Sequence, residues 1–416
     1  MSSVKTLPVG WKKIKLKKLV TQDIKNGYSP NCPEEPNGTW ILGLGNLTEN
    51  GFDSSHAKPA PKDDKRVKDF LLTSGDFLIS RSNTLDKVGR TMLFRGEIEN
   101  CSYPDLLMRF RVDENQVLNE YLESYLRSSI VRKYIQSCAS GTSGSMVKIN
   151  KSVVESIIVI LPPFSEQKAI ADLLSTWDEA IEKTERLIQA LEKRLDAYGR
   201  EVFDSNCSGK VSGWLSVRLK DVLWEHGDKS TGNEEVYSVS VHKGLVNQIE
   251  HLGRSFSAAN TDNYNCVHYG DIVYTKSPTG DFPLGIVKQS YHTKNVIVSP
   301  LYGVFSPKSF YLGAVINFYF SSPKRTRNYL FPIVQKGAKN TIAITNKTFL
   351  SSKLHLPIDE AAQKMIAEYV SAARDEIDML KQLREKYKSQ KRGLMQKMLT
   401  GAWRMKTEII NQYMEV

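Results

Sequence analysis

Apolar residues recur at every third or fourth position through the passage LPPFSEQKAIADLLSTWDEAIEKTERLI, which begins at Leu161, and the pattern continues to Val202. Leu174, Ile181, Ile188, Leu195 and Val202 stand seven residues apart, and Ile170, Trp177, Thr184, Leu191 and Tyr198 form a second column of the same spacing. Two such columns predict a long helix with an a/d seam that must be buried against a partner helix. A second passage, LPIDEAAQKMIAEYVSAARDEIDMLKQL from Leu356, predicts that partner. Its first column runs Ile366, Ala373, Leu380, Tyr387 and Leu394. The companion column opens with Val370 and Ile377 but continues as Arg384 and Lys391, so the second seam weakens toward its C-terminal end. A helix of roughly 37 residues extends about 55 Å.

The repetition reaches beyond the helices. Gly10-Trp11 leads into Ile14, Leu16 and Leu19, and Gly213-Trp214 leads into Val217, Leu219 and Val222 at matching spacing. SGDFLISRSNTLDKVGRTMLF, from Ser74, parallels YGDIVYTKSPTGDFPLGIVK, from Tyr269. In both, a Gly-Asp turn precedes a short β-rich run, a basic residue, a serine and a polar loop, so Arg81-Ser82 answers Lys276-Ser277. YLESYLRSSIVRKYIQ and YLGAVINFYFSSPKRTRNYL read as short helices. The loops that follow, ASGTSGSMVKINK and VQKGAKNTIAITNK, end in Asn150-Lys151 and Asn346-Lys347. The order is globular segment, helix, globular segment, helix, an internal repeat. For the last helix to pack along the first it must run antiparallel, which gives an approximate two-fold axis.

Composition narrows the partner. A chain of 416 residues suggests two or three domains, and 40% hydrophobic with 25% charged residues is the content of a folded protein. The net charge of +11 favours a polyanion such as nucleic acid. The N-terminus is basic without an apolar core, and the longest nearly apolar run, Phe310 to Phe320, is interrupted by Asn317 and falls short of the ~20 residues of a spanning helix. A cytoplasmic protein without a membrane partner is expected. Cys32, Cys101, Cys138, Cys207 and Cys266 are scattered and read as free thiols. The seven histidines are not expected to form a metal site with carboxylates.

Catalytic motifs are missing. Gly227 to Glu234 has the glycine spacing of a phosphate loop, but Asn233 stands where the lysine belongs. GLGNLT, from Gly43, carries Thr48 in place of the third glycine of a dinucleotide site. Pro104-Asp105 is not followed by the carboxylate-x-Lys pair of a metal-dependent nuclease. The Pro-Pro at Pro162-Pro163 follows Leu161, without the Asn or Asp that an amino-group methyltransferase uses. Nothing matches a nucleophile elbow or a Cys/His pair. No catalytic, cofactor-binding or metal-binding residue is expected, so the chain reads as a recognition protein whose chemistry lies elsewhere.

The Leu-Pro-Pro-x-x-Glu-Gln passage from Leu161 to Gln167, the Gly-Asp turns, the Ser-Gly-rich loop at Ser140 to Ser145 and the ending QKRGLMQKMLTGAWR from Gln390 resemble the specificity (S) subunit of type I restriction-modification enzymes. The resemblance covers nearly the whole chain. It implies an α/β (α+β) architecture of two mixed α/β target-recognition domains separated by two long antiparallel coiled-coil helices, in a pseudo-two-fold internal repeat. The expected boundaries are 1–160 and 206–355 for the recognition domains, 161–205 and 356–405 for the conserved spacer helices, and 406–416 for a tail. The implied partners are double-stranded DNA, two modification (methyltransferase) subunits and, where present, restriction (motor-nuclease) subunits. S-adenosylmethionine would belong to the methyltransferase, and ATP and Mg to the restriction partner. One departure is the second passage, Leu356-Pro357-Ile358-Asp359-Glu360, which lacks the double proline and the adjacent Glu-Gln, so the two docking surfaces need not be equally strong.

Phosphate contacts supply affinity and base-edge contacts supply sequence choice, so DNA-binding residues should be basic or amide residues in loops of the globular parts. The expected set is Arg81, Ser82, Asn83, Lys87, Arg90, Ser143 and Lys148 in the first half. In the second it is Lys276, Ser277, Thr279, Lys324, Arg325, Arg327, Lys336, Lys339 and Asn340. The competing reading is a coiled-coil scaffold whose two globular domains bind proteins, distinguished by whether binding to duplex DNA weakens with salt.

Overall fold

The computed structural model describes residues 7–49, 51–141, 146–204, 213–252, 261–277, 279–336 and 342–414. The chain forms two compact units, Met1–Thr184 with Leu383–Val416, and Glu185–Gln382. Both long helices are present, Phe164–Phe203 and Glu360–Met398, and each is shared between the units.

The two units are built on one sheet plan. In the first, four antiparallel strands run in the order Lys25–Asn26, Leu107–Phe110, Asp76–Ser80, Thr91–Phe94. In the second the order is Leu223–Trp224, Gly303–Pro307, Ile272–Thr275, Ile286–Gln289. The central strands are buried on both faces because side chains alternate between two cores. Phe77 and Ile79 pack with the helical residues Tyr121, Leu122 and Ile170, while Leu78 packs with Met92, Phe94 and Tyr103. In the second unit Ile272 and Tyr274 face Val315, Phe349 and Ile366, and Val273 faces Val267 and Val298. A two-stranded ribbon leads into each long helix: Lys12–Lys15 pairs with Ile158–Leu161, and Trp214–Arg218 pairs with Lys353–Pro357.

The Gly-Asp turns are equivalent down to their hydrogen bonds. Gly75 and Gly270 have φ of +92° and +89°, a conformation that favours glycine. Asp76 and Asp271 are both buried, and each carboxylate accepts the backbone N–H three residues earlier, from Thr73 at 2.8 Å and from His268 at 2.7 Å. Their counter-charges differ. Arg111 Nε donates to Asp76 at 2.7 Å, whereas the same strand position in the second unit is Ser306, whose hydroxyl donates to Asp271 at 2.7 Å.

The recurrent Gln-Lys is explained by the glutamine. Gln167 Nε2 donates to the carbonyl of Pro162 at 3.0 Å, and its Oε1 accepts the N–H of Leu118, which precedes the helix Asn119–Arg127, at 2.8 Å. Gln363 Nε2 donates to the carbonyl of Pro357 at 2.9 Å, and its Oε1 accepts from the hydroxyl of Ser309, the N-cap of the helix Phe310–Tyr319, at 3.1 Å. Each glutamine thereby fastens a long helix to the globular part of its own unit.

Every heptad-column residue of the long helices is buried or half-buried. In the first unit Trp177 meets Tyr387 edge-on at 5.7 Å between ring centroids, and Ile170 and Leu174 share a core with Met398 and Leu399, so the helix segments run antiparallel there. In the second, Tyr198 lies 4.3 Å from Tyr369 and Lys381 Nζ lies 2.7 Å from Glu192, again antiparallel. The polar column of the second helix is accommodated rather than disruptive. Lys391 keeps its stem in the seam and pairs with Asp178, although burial pushes its ammonium below the usual lysine range. Among the described residues no helix is long and apolar enough to cross a membrane. The apolar run from Phe310 is a helix buried in the second unit.

Candidate nucleic-acid interface

In the first unit, residues far apart in sequence meet. The short strand Ser82–Asn83 pairs with Val147–Lys148, setting Ser82 opposite Lys148. Arg81 is locked by its backbone, donating to the carbonyl of Leu106 at 2.8 Å and accepting from the N–H of Ile149 at 2.9 Å. Its guanidinium Nη1 lies 3.4 Å from the carbonyl of Asp105. Asn83 uses its Oδ1 to accept the N–H of Thr84 at 2.9 Å, which leaves its amide nitrogen without a partner among the described residues.

The loop from Thr84 to Arg90 is braced from the helix Ser129–Cys138. Arg132 Nη2 donates to the carbonyl of Asp86 at 2.9 Å, its Nη1 donates to that of Val88, and Gln136 donates to that of Leu85 at 3.2 Å. Lys87 is thus exposed on a fixed turn, while Arg90 is half-buried with Nη1 3.3 Å from the carbonyl of Leu47. Burial, and then the nearby Arg90, push the pKa of Arg132 down, and like charges gathered at one loop raise the local positive potential. Lys87, Arg90, Arg81 and the exposed Lys148 therefore carry their charges on backbone that is hydrogen-bonded in place, and such cations suit phosphate oxygens. Ser143 lies outside the described residues.

In the second unit Lys276, Ser277 and Thr279 are exposed. The Ser277 N–H donates to Thr275 Oγ1 at 3.2 Å, and Thr279 and Phe282 exchange backbone hydrogen bonds of 3.2 and 2.7 Å, which closes the turn. Lys336 lies in a short strand, Gln335–Lys336, paired with Ile342–Ala343. Lys339 and Asn340 lie outside the described residues. Lys324 and Arg327 are exposed on the helix Pro323–Leu330, with the Arg327 guanidinium 5.7 Å from the Phe331 ring centroid.

Two expected contacts are corrected by burial. Arg325 is 6% exposed: its Nε donates to the carbonyl of Tyr319 at 3.1 Å, and its guanidinium lies 5.1 Å from the Phe203 ring centroid. A Cβ at Gly199 would stand 2.8 Å from Arg325 Nη2, so glycine there lets the guanidinium lie against the first long helix. Basicity alone made Arg325 look like a DNA contact, but it is a packing residue. Ser82 is 1% exposed, and its hydroxyl points away from solvent. It serves the strand pairing instead.

The histidine expectation also changes. His226, Asp228 and His268 converge in the second unit, with their ligand atoms all within 4.8 Å of one another. The His-x-Asp spacing at residues 226–228 was a usable signal, as was the repeat alignment that puts His268 at the Thr73 position. The four described cysteines, Cys32, Cys101, Cys138 and Cys266, form no disulfide.

Comparisons with known proteins agree with this architecture. The family model for the type I restriction modification DNA specificity domain matches residues 8–193. The chain is 24% identical over 431 aligned residues to the putative type I restriction enzyme MjaX specificity subunit of Methanocaldococcus jannaschii, covering 96% of this chain and 95% of that protein. It is 29% identical over 178 residues to the EcoKI specificity subunit of Escherichia coli, covering 42% of this chain and 38% of that one. Among solved structures, the S subunit of a type I restriction-modification system from M. genitalium superposes with a TM-score of 0.57 at 16% identity, over 96% of this chain and 99% of that one. A chain from a type I R-M system structure concerned with complex assembly and conformational transition gives a TM-score of 0.55 at 15% identity, over 95% and 99% of the two chains. With the duplicated sheet plan and both long helices in place, the chain is similar over nearly its whole length to the specificity subunits of type I restriction-modification systems.

Proposed function

We propose that this subunit reads a bipartite target in double-stranded DNA, one half-site per unit, and positions two modification subunits that methylate adenine within it. The observation that carries the reading is the duplication itself. Two units with the same strand order, the same Gly-Asp turn and the same basic residue and serine after the central strand suit a target with two parts. The expected assignment keeps residues 1–160 and 206–355 as recognition domains, with 161–205 and 356–405 as spacers and 406–416 as a tail. Arg81, Lys87, Arg90, Lys148 and Lys276 would hold phosphates, and Asn83 would donate to a base edge. S-adenosylmethionine enters with the modification subunits, and ATP and Mg with restriction subunits where these assemble. The chain itself is the non-catalytic, DNA-recognising component of the complex.

The test is sequencing of methylated bases in DNA exposed to the chain together with its modification subunit. A split motif with a constant spacer and one methylated adenine per half is expected. Methylation at a single uninterrupted motif, or duplex binding insensitive to salt, would overturn the reading.

A further inference from the structure

We propose that His226, Asp228 and His268 form a site for one divalent transition-metal ion of the zinc class, built into the second unit around its Gly-Asp turn. Asp228 Oδ2 lies 3.3 Å from His226 Nδ1 and 2.9 Å from His268 Nε2. With metal–ligand bonds of about 2.0–2.1 Å, ligand atoms in a tetrahedral site stand about 3.3 Å apart, so both imidazoles already stand near ligating separation from the carboxylate, and all three ligand atoms lie within 4.8 Å of one another.

The surrounding groups orient both rings for the same task. His226 Nε2 is 3.0 Å from Oδ2 of the buried Asp271, and His268 Nδ1 is 3.1 Å from Asn295 Oδ1. If each of these nitrogens carries its proton, the lone pairs of His226 Nδ1 and His268 Nε2 face the Asp228 carboxylate. Outer hydrogen bonds of this kind hold metal-binding imidazoles in place. Asp271 is in turn anchored by the His268 N–H at 2.7 Å and the Ser306 hydroxyl at 2.7 Å. Metal binding would displace two hydrogen bonds, from the Asp228 N–H to His226 Nδ1 at 3.1 Å and between His268 Nε2 and Asp228 Oδ2 at 2.9 Å.

Comparison of the two copies gives the site its logic. In the first unit the turn aspartate has a permanent cation, Arg111. In the second, serine occupies that strand position, and the buried carboxylate turns to an imidazole whose other nitrogen joins two further ligand groups. Two imidazoles and one carboxylate suit zinc, cobalt or nickel better than magnesium or calcium, which prefer oxygen. The half-exposed Asp228 leaves room for water to complete the coordination. The ion would tie the segment after Leu223–Trp224 to the turn before Ile272–Thr275.

The test uses the full chain, stripped with a chelator and titrated near neutral pH with Co2+ and then Zn2+. One Co2+ per chain is expected, with visible d–d absorption that Zn2+ abolishes, and Zn2+ should raise the melting temperature. Asp228→Asn and His268→Gln, both at partly exposed positions, should each weaken Co2+ binding at least about tenfold and remove the Zn2+ stabilisation. His242→Gln, an exposed histidine outside the cluster, should bind as the parent does. If the cluster is only an imidazolium–carboxylate network, the parent chain will take up no metal, and the proposal fails. Uptake that persists in both ligand variants would place the metal elsewhere and overturn it equally.

Discussion

Arg404 closes a two-pronged ion pair on the buried Glu166, with Nε 3.1 Å from Oε1 and Nη2 2.7 Å from Oε2. The same carboxylate accepts the indole N–H of Trp11 at 3.0 Å, so one side chain joins the start of the chain, the first turn of a long helix and the C-terminal segment. Arg404→Ala leaves a buried carboxylate with one neutral donor. The first unit should lose about 1–3 kcal/mol, measured as a lower denaturant midpoint, with faster amide exchange confined to Met1–Thr184 and Leu383–Val416. Uniform exchange changes throughout the chain would contradict this assignment.

Arg325→Ala is expected to act on stability and not on DNA. Removing its hydrogen bond to Tyr319 and its contact with Phe203 should destabilise the second unit by about 1–2 kcal/mol. The folded complex should bind DNA with unchanged affinity and salt slope. Lys148→Ala should do the reverse, weakening binding evenly across sequences and reducing the salt slope by about 0.9, as for one lost phosphate contact. An unchanged slope removes Lys148 from the interface.

These two residues mark how far the sequence could be read. Heptad columns such as Leu174 to Val202, and the paired Gly-Asp turns, were legible because periodic burial and left-handed glycines leave local signatures. Arg325 was misread because its burial depends on Gly199, distant in sequence, and no local pattern announces that notch. Ser82 was aligned correctly with Ser277 but buried by a strand, Val147–Lys148, that two residues of sequence hardly define. The metal-type cluster was missed for the same reason, since His268 reaches Asp228 only once the second sheet is assembled.

Gln167→Ala and Gln363→Ala should have parallel effects in different places. Each removes a buried amide that holds a Leu-Pro turn to a neighbouring helix, so each should cost its own unit about 1–3 kcal/mol. Hydrogen exchange resolves which unit loosens. Loss in the opposite unit would refute the equivalence of the two glutamines.

Lys288 supplies a pH signature. Burial, with Arg374 nearby, pushes its ammonium down to about 8. The unfolded chain therefore binds more protons than the folded one between about pH 8 and the ordinary lysine range, and stability rises with pH across that window. Below it, the ammonium opposes folding. Lys288→Met should raise stability at neutral pH, and its advantage over the parent should shrink as pH climbs through the window. A constant difference would show that Lys288 titrates as a solvated lysine does.

If the long helices measure the distance between half-sites, one heptad added after Ile181 and another after Ile377 should lengthen the preferred DNA spacer. Seven residues add about 10.5 Å, close to three base pairs, while nearly preserving the seam. Methylation of targets whose spacer varies by single base pairs gives the answer. An active variant with the parental spacer preference would show that the helices are not the ruler.

The sharing of each long helix between units has a consequence for the newly made chain. The second unit is continuous, Glu185–Gln382, whereas the core of the first includes Met398 and Leu399, with Leu394, Met395 and Met405 packed against it. On the ribosome, the first unit emerges early but must wait for Met398 and Leu399 to be synthesised, while the second already has its full complement. The order of completion is therefore the reverse of the order of synthesis, and a premature stop just before Leu383 would leave the N-terminal unit, not the C-terminal one, unfinished.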